Sequence, residues 1–159
     1  MKYYLAYGSN LSVAQMLHRC PSAVYVGYSD IPGYRLLFKG SQTGSYLTIE
    51  PMKKRTVPVL VWKVDDEDEA ALDLYEGYPR FYRKETMKVM LRSLANPLVV
   101  DEVEAFVYIM DESRPLGRPS ENYYMVCLEG YLRFGFNTKI LERAYRESTG
   151  KKHTGGDGR

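Results

Sequence analysis

Histidine is almost absent from this chain, with two residues in 159, His18 and His153. A Ser-His-Asp triad or a His-rich zinc centre has almost nothing to be built from. Cysteine is equally scarce. Cys20 and Cys127 are too few for a disulfide framework and lack CxxC spacing. Neither sign of charge is in excess: 22 Lys and Arg face 20 Asp and Glu, a formal net charge of +2. No strong field therefore points to nucleic acid or to a membrane surface as partner. No apolar run approaches the roughly 20 residues that span a bilayer. Met1-Lys2-Tyr3 opens no signal-peptide core, so the expected location is cytoplasmic. If the chain is an enzyme, its proton carrier is expected to be a carboxylate.

Tyrosine is what the chain has in plenty: 15 residues, against 5 Phe and 1 Trp. Each buries a large ring and keeps a polar tip that needs a partner. Such a bias suits a cavity lined by hydroxyls, or equally a core that happens to favour Tyr. With 45% hydrophobic and 26% charged residues, the composition is that of one globular domain. We assign it to residues 1–149, with a polar, disordered tail over 150–159.

The pattern reads as strands near 2–7, 24–28, 34–38, 46–50, 57–64, 83–92 and 102–110. Pro32-Gly33 is expected to turn the chain between the second and third, and residues 40–45 to form a loop. Val57–Val64 is apolar on both faces and reads as central. Lys53-Lys54-Arg55 reads as a solvated turn. Helices are expected near 12–18, 65–75, 120–134 and 139–147. Ser12 with Gln15 has capping-box spacing, Gly77 and Gly135 serve as stops, and Ser120 serves as a cap. Strands come in adjacent runs and helices gather late, so the expected class is α+β with a curled, mainly antiparallel sheet.

Two stretches carry chemistry. Tyr7-Gly8-Ser9-Asn10-Leu11 follows the first strand and leads into a short helix. It brings backbone N–H groups without partners to one place, which suits a carboxylate or a developing oxyanion. Gly8 lets a ligand approach the main chain. The plainer reading is an ordinary strand-to-helix turn. The second stretch is Leu72-Asp73-Leu74-Tyr75-Glu76-Gly77. Glu76 closes an acidic helix at the end where carbonyl dipoles disfavour negative charge. Asp73 on the same face repels it, and Tyr75 and Tyr78 desolvate it. All three raise its pKa towards the range of a general base, while Arg80 and Arg83 pull the other way. The plainer reading is a Glu-Gly helix ending.

Together, Tyr7-Gly8-Ser9-Asn10-Leu11, then Leu72-Asp73-x-x-Glu76-Gly77 with Tyr82-Arg83, then Pro115-x-x-x-Pro119-x-x-x-Tyr123 and Gly130, resemble the gamma-glutamylcyclotransferase family, in particular its AIG2-like branch. The resemblance covers about residues 3–135. It implies a small mixed, mainly antiparallel β-barrel-like sheet flanked by helices, with a cavity over the Tyr7–Leu11 loop. It also implies a reaction without cofactor or metal, in which a γ-glutamyl amide cyclises to 5-oxoproline and releases an amine or amino acid. By the same resemblance Glu76 is the catalytic acid/base. Tyr7, Gly8, Ser9, Asn10 and Leu11 are the substrate-binding loop, and Tyr82 and Tyr123 border the cavity. The partner implied is a small γ-glutamyl molecule, and the chain is expected as a monomer or homodimer. The motifs leave the leaving group open, and whether the loop amides hold the oxyanion or the substrate carboxylate.

Two other readings compete. One is a non-catalytic small-molecule or protein-binding module on the same fold. The other is a thiol or metal site at His18, Cys20 and Cys127. There, the spacing of His18 and Cys20 puts them on different helix faces, and Cys127 reads as a buried small hydrophobe.

Overall fold

The computed structural model describes residues 1–41 and 44–154. They form five strands and four α-helices, in the chain order β1 (Lys2–Ala6), α1 (Val13–Arg19), β2 (Val24–Ser41), β3 (Gly44–Val64), α2 (Asp66–Glu76), β4 (Tyr82–Ser93), β5 (Val100–Met110), α3 (Glu121–Phe134) and α4 (Thr138–Thr149). The strands close into a barrel in the order β1-β3-β2-β4-β5. All neighbours are antiparallel except β1 and β5, which close the ring in parallel through Tyr3↔Ala105 and Tyr4↔Phe106. The α+β class is therefore as read from the residues, and the barrel-like sheet is as the family resemblance implies.

Helix boundaries follow local chemistry. The Asp65 carboxylate caps α2 in a reciprocal capping box with Asp68, and Gly77 ends it in the left-handed region at φ 66°. Ser120 Oγ accepts from the Tyr123 N–H at the start of α3, and Asn137 Oδ1 accepts from the Lys139 N–H at the start of α4. At α1 only half of the expected box forms. Ser12 Oγ accepts from the Gln15 N–H, but the Gln15 side chain is taken by Arg19.

Two sequence readings are corrected by the sheet. Pro32-Gly33 is no turn: β2 runs unbroken through it, paired along its length with β3. Between Pro32↔Thr56 and Tyr34↔Pro51 the register takes two steps on β2 and five on β3. Gly33 at φ 78° and Lys54 at φ 67° absorb the mismatch. Lys53-Lys54-Arg55 is accordingly a bulge inside a 21-residue strand, not a free turn. Pairing across the sheet outweighs the local turn signal because each step of the ladder adds a hydrogen bond. The loop expected over 40–45 falls at the β2–β3 connection, where Ser41 pairs with Gly44; residues 42 and 43 lie outside the described residues.

Val57 to Trp62, Pro58 included, are buried on both faces, as a central strand requires. Pro58 is tolerated because β1 joins the outer side of β3 only from Leu60 onward. Helix α3 buries Tyr124, Cys127 and Tyr131 against the barrel, and α4 buries Leu141, Ala144 and Tyr145. Ser148 of α4 ties to β2 by accepting from the Phe38 N–H at 2.8 Å. Part of the tail expected from residue 150 lies against α3. The His153 ring stacks on Tyr124 at 3.9 Å and its Nε2 contacts Glu121. Residues 155–159 lie outside the described residues. No helix among the described residues is long and apolar enough to cross a membrane.

Candidate active site

Strand β1 runs through the barrel wall and delivers Tyr7 and Gly8 to one end of the barrel. Residues Ser9–Leu11 then make a single 3₁₀ turn, closed by Leu11 N–H to Gly8 O and Ser12 N–H to Ser9 O, each 3.0 Å. A turn of this kind leaves its first amides without internal partners. Among the described residues, the N–H groups of Gly8, Ser9 and Asn10 donate to nothing.

Asn10 holds the turn in place. Its side-chain amide donates to the Tyr4 hydroxyl at 2.9 Å and its side-chain oxygen accepts from Arg19. Its backbone carbonyl accepts from the Trp62 indole at 3.1 Å. Leu11 points the other way, fully buried, against Gly130 of α3.

Glu76 is the last residue of α2 and faces this turn across a cavity. The carbonyls at the end of α2 are satisfied by Gly77 and Tyr78 N–H groups. Among the described residues no group hydrogen-bonds or ion-pairs with the Glu76 carboxylate. Burial pushes its pKa up to about 7, opposed only by the positive charge of Arg19. The expected sources differ. Asp73 is turned away, accepting from the Tyr108 hydroxyl at 2.6 Å and pairing with Lys84 at 2.9 Å. Arg83 is engaged with Glu85 and Glu112, and neither it nor Arg80 acts on the Glu76 carboxyl as Arg19 does.

The cavity has two parts. A small inner chamber of about 30 Å³ is bounded by Gly8, Ser9, Asn10 and Glu76 with five tyrosines. An outer cleft of about 430 Å³ shares Ser9, Glu76, Tyr82 and Tyr123 with it and extends past Tyr46, Phe81 and Arg114. The tyrosines are fixed by their hydroxyls. Tyr7 donates to Tyr108 O at 2.6 Å, Tyr82 donates to Leu47 O at 2.7 Å, and Tyr123 accepts from the Leu47 N–H at 3.1 Å. Burial raises the pKa of Tyr4, Tyr7, Tyr82 and Tyr123, so all four stay neutral hydrogen-bonding groups. Among the described residues, the result is a polar pocket with one proton-exchanging side chain, one set of unpaired amides and no second acid.

Of the residues singled out in the sequence, the structure brings Tyr7, Gly8, Ser9, Asn10, Glu76, Tyr82 and Tyr123 to the inner chamber. Leu11 is not at the cavity; its side chain is a core plug that supports the turn from below. Tyr4, Tyr108, Leu47 and Arg19 are there or act there without having been singled out. The tyrosine excess was the signal for the first two. His18 is exposed at the surface, while Cys20 and Cys127 are buried with thiols pushed up to about 11 and about 12. The described residues contain no group of three or more acidic, His or Cys side chains arranged to hold a metal.

The profile of the family described as gamma-glutamyl cyclotransferase, AIG2-like, matches residues 4–126. A solved structure named gamma-glutamyl cyclotransferase is similar over 96% of this chain and 94% of its own, at 26% identity and a TM-score of 0.70. An uncharacterized protein from Homo sapiens is similar with the same identity, coverage and TM-score. A gamma-glutamyl cyclotransferase specific to glutathione from yeast shares the fold at 12% identity, with a TM-score of 0.64 over 96% of this chain and 99% of that one. No curated protein matches in sequence.

Proposed function

We propose that this chain, which belongs to the gamma-glutamyl cyclotransferase family in its AIG2-like form, converts a γ-glutamyl amide into 5-oxoproline and a free amine. One observation carries the reading. A carboxylate without partners, its pKa raised to about 7 by burial, faces three unpaired backbone amides across a small polar chamber.

The chemistry asks for little more. The nucleophile is the substrate's own α-amine, tethered to the γ-carbonyl it attacks. Closing that five-membered ring has an effective molarity of about 10⁵ M or more. Glu76, ionised, takes a proton from the α-ammonium. The free amine adds to the γ-carbonyl and forms a C–N bond, and the carbonyl electrons move to oxygen. As the oxyanion collapses, the bond to the leaving nitrogen breaks and Glu76 returns a proton to it. A second proton lost by the ring nitrogen as it becomes an amide ends on the released amine, so both N–H protons are accounted for. A group whose pKa lies near neutrality is suited to both transfers.

The amides of Gly8, Ser9 and Asn10 are placed to hold an anion, and donors of this kind are worth about 3–4 kcal/mol when the anion is the one that develops in the transition state. Tyr82 and Tyr123 line both the inner chamber and the outer cleft. The amine or amino acid that leaves would occupy the outer cleft.

The test is release of 5-oxoproline from a panel of γ-glutamyl amino acids, γ-glutamyl amines and an ε-(γ-glutamyl)lysine peptide. Glu76→Gln is expected to lower kcat by about 10²–10⁴-fold. Undiminished activity in Glu76→Gln would remove the carboxylate from the mechanism. A protein that binds a γ-glutamyl compound but turns over none of the panel would be a binding module on this fold.

A further inference from the structure

Away from the catalytic cavity, a second cavity of about 250 Å³ lies between β2, the bulged part of β3 and the start of α4. Its polar lining is cationic. Arg35, Lys54, Arg55, Lys139 and Arg143 contribute, together with Asn137, and no carboxylate lines it. Among the described residues the one carboxylate paired with these cations is Glu147. It lies 3.1 Å from Arg55 and from Arg143, and 3.7 Å from Arg35. One carboxylate against five cations leaves four positive charges uncompensated in one concavity, in a chain whose formal net charge is only +2.

Three further features converge here. The Arg35 Nε–H is buried and has no hydrogen-bond partner, a state that native interiors rarely leave standing. Lys54 is held at φ 67°, the one non-glycine among the described residues with positive φ, an unfavourable conformation that the bulge enforces at the cavity wall. The N-terminus of the 12-residue helix α4 opens at Asn137, so its positive dipole end adds to the same field.

We propose that this cavity is a binding site for a small phosphate-bearing molecule, a phosphate monoester or a pyrophosphate. A monocarboxylate brings one charge and one pair of acceptors, and Glu147 already fills that role for three arginines. A phosphate brings close to two charges and three or more acceptors, which guanidinium forks match in geometry. The cations gather around one open concavity of about 250 Å³ instead of forming an extended stripe, so the ligand is compact and not a nucleic-acid strand. The site stands whether or not the cyclotransferase reading holds.

The experiment is a titration of the full chain with inorganic phosphate and with pyrophosphate, followed by backbone amide NMR at ionic strength held constant with chloride. Saturable shifts are expected at residues 35, 54–56, 137–139 and 143. The test variant is Lys54→Gly with Lys139→Gln. Both side chains are exposed, and glycine relieves the positive φ, so the fold is retained. Its affinity is expected to fall by about tenfold or more. The proposal is overturned if neither anion gives a saturable response, or if shifts spread evenly over the basic surface. It is equally overturned if the variant binds as well as the parent, or if only a single-stranded oligonucleotide binds.

Discussion

The Tyr123 hydroxyl stands 3.1 Å from the point that a Cβ would occupy on Gly8. The same hydroxyl accepts the Leu47 N–H from the barrel wall, so moving the ring away from Gly8 strains that hydrogen bond. Gly8→Ala therefore pushes either the turn or Tyr123 by a few tenths of an ångström within the reacting chamber. The expected result is a loss of about 10-fold to 10²-fold in kcat/KM, in line with the sensitivity of positioned groups to small displacements, with thermal stability little changed. Steady-state rates and a melting curve on the same preparation check it. A variant with parental kcat/KM would show that the turn does not touch the reacting atoms.

Glu76 predicts a conflict between stability and activity. Its ordinary pKa is 4.5, and in the folded chain it is raised to about 7. A raised carboxyl pKa means that the folded state holds the proton more tightly than the unfolded state. Stability therefore falls as pH rises from about 4.5 to about 7, by up to about 3 kcal/mol from this group. Glu76→Gln has no proton to lose. Urea unfolding at pH 5 and pH 8 is expected to show the variant gaining on the parent at the higher pH. Activity should run the opposite way, rising through about pH 7 as the base ionises. Equal pH dependence of stability in both proteins would mean that the carboxyl is solvated.

Helix limits were legible because caps are local. Ser120 with Gly135, and Asp65 with Gly77, carry their signals within a few residues of the ends that they set. The turn after β1 and the carboxylate at the end of α2 were legible for the same reason. What lay beyond the sequence is what the barrel brings together from afar. Tyr4 and Tyr108 meet the site because β1 pairs in parallel with β5, a contact about a hundred residues apart. Arg19 reaches Glu76's field because α1 packs beside α2. The long β2–β3 ladder overrode the Pro32-Gly33 signal because its register is decided by all its pairs at once. Leu11 belonged to the motif and not to the cavity. Its place in the motif is explained by Gly130, whose missing side chain makes room for it.

That packing yields its own prediction. A Cβ on Gly130 would lie 2.5 Å from the Leu11 Cβ. Helix propensity alone favours alanine over glycine by up to about 1 kcal/mol. Leu11 cannot relieve the contact by changing rotamer, because its Cβ is fixed to the backbone of the turn. Overpacking of this kind costs about 1–3 kcal/mol, so Gly130→Ala is expected to be net destabilising. Because the strain falls on the turn that carries Gly8 to Asn10, kcat/KM should fall as well. Denaturant midpoints and rates measured together check both parts. A stabilised variant would mean that α3 slides outward freely.

Among the described residues, Arg19 is the one cation whose charge lowers the Glu76 pKa. Its guanidinium lies 3.5 Å above the Tyr75 ring, and it donates to the side chains of Asn10 and Gln15. It is thus both a charge near the carboxylate and a brace for the turn. Arg19→Met keeps the stem and removes the charge. The Glu76 pKa should then rise further, moving the acidic limb of the rate profile to higher pH. Arg19→Lys should move it back, since lysine keeps the charge but not the planar fork. Loss of the brace alone would lower the plateau without moving the midpoint, and both variants would then behave alike. A carboxyl ¹³C titration of Glu76 reads the midpoint directly, independent of turnover. An unchanged midpoint in Arg19→Met would assign Arg19 to the brace only and leave burial as the sole control on the base.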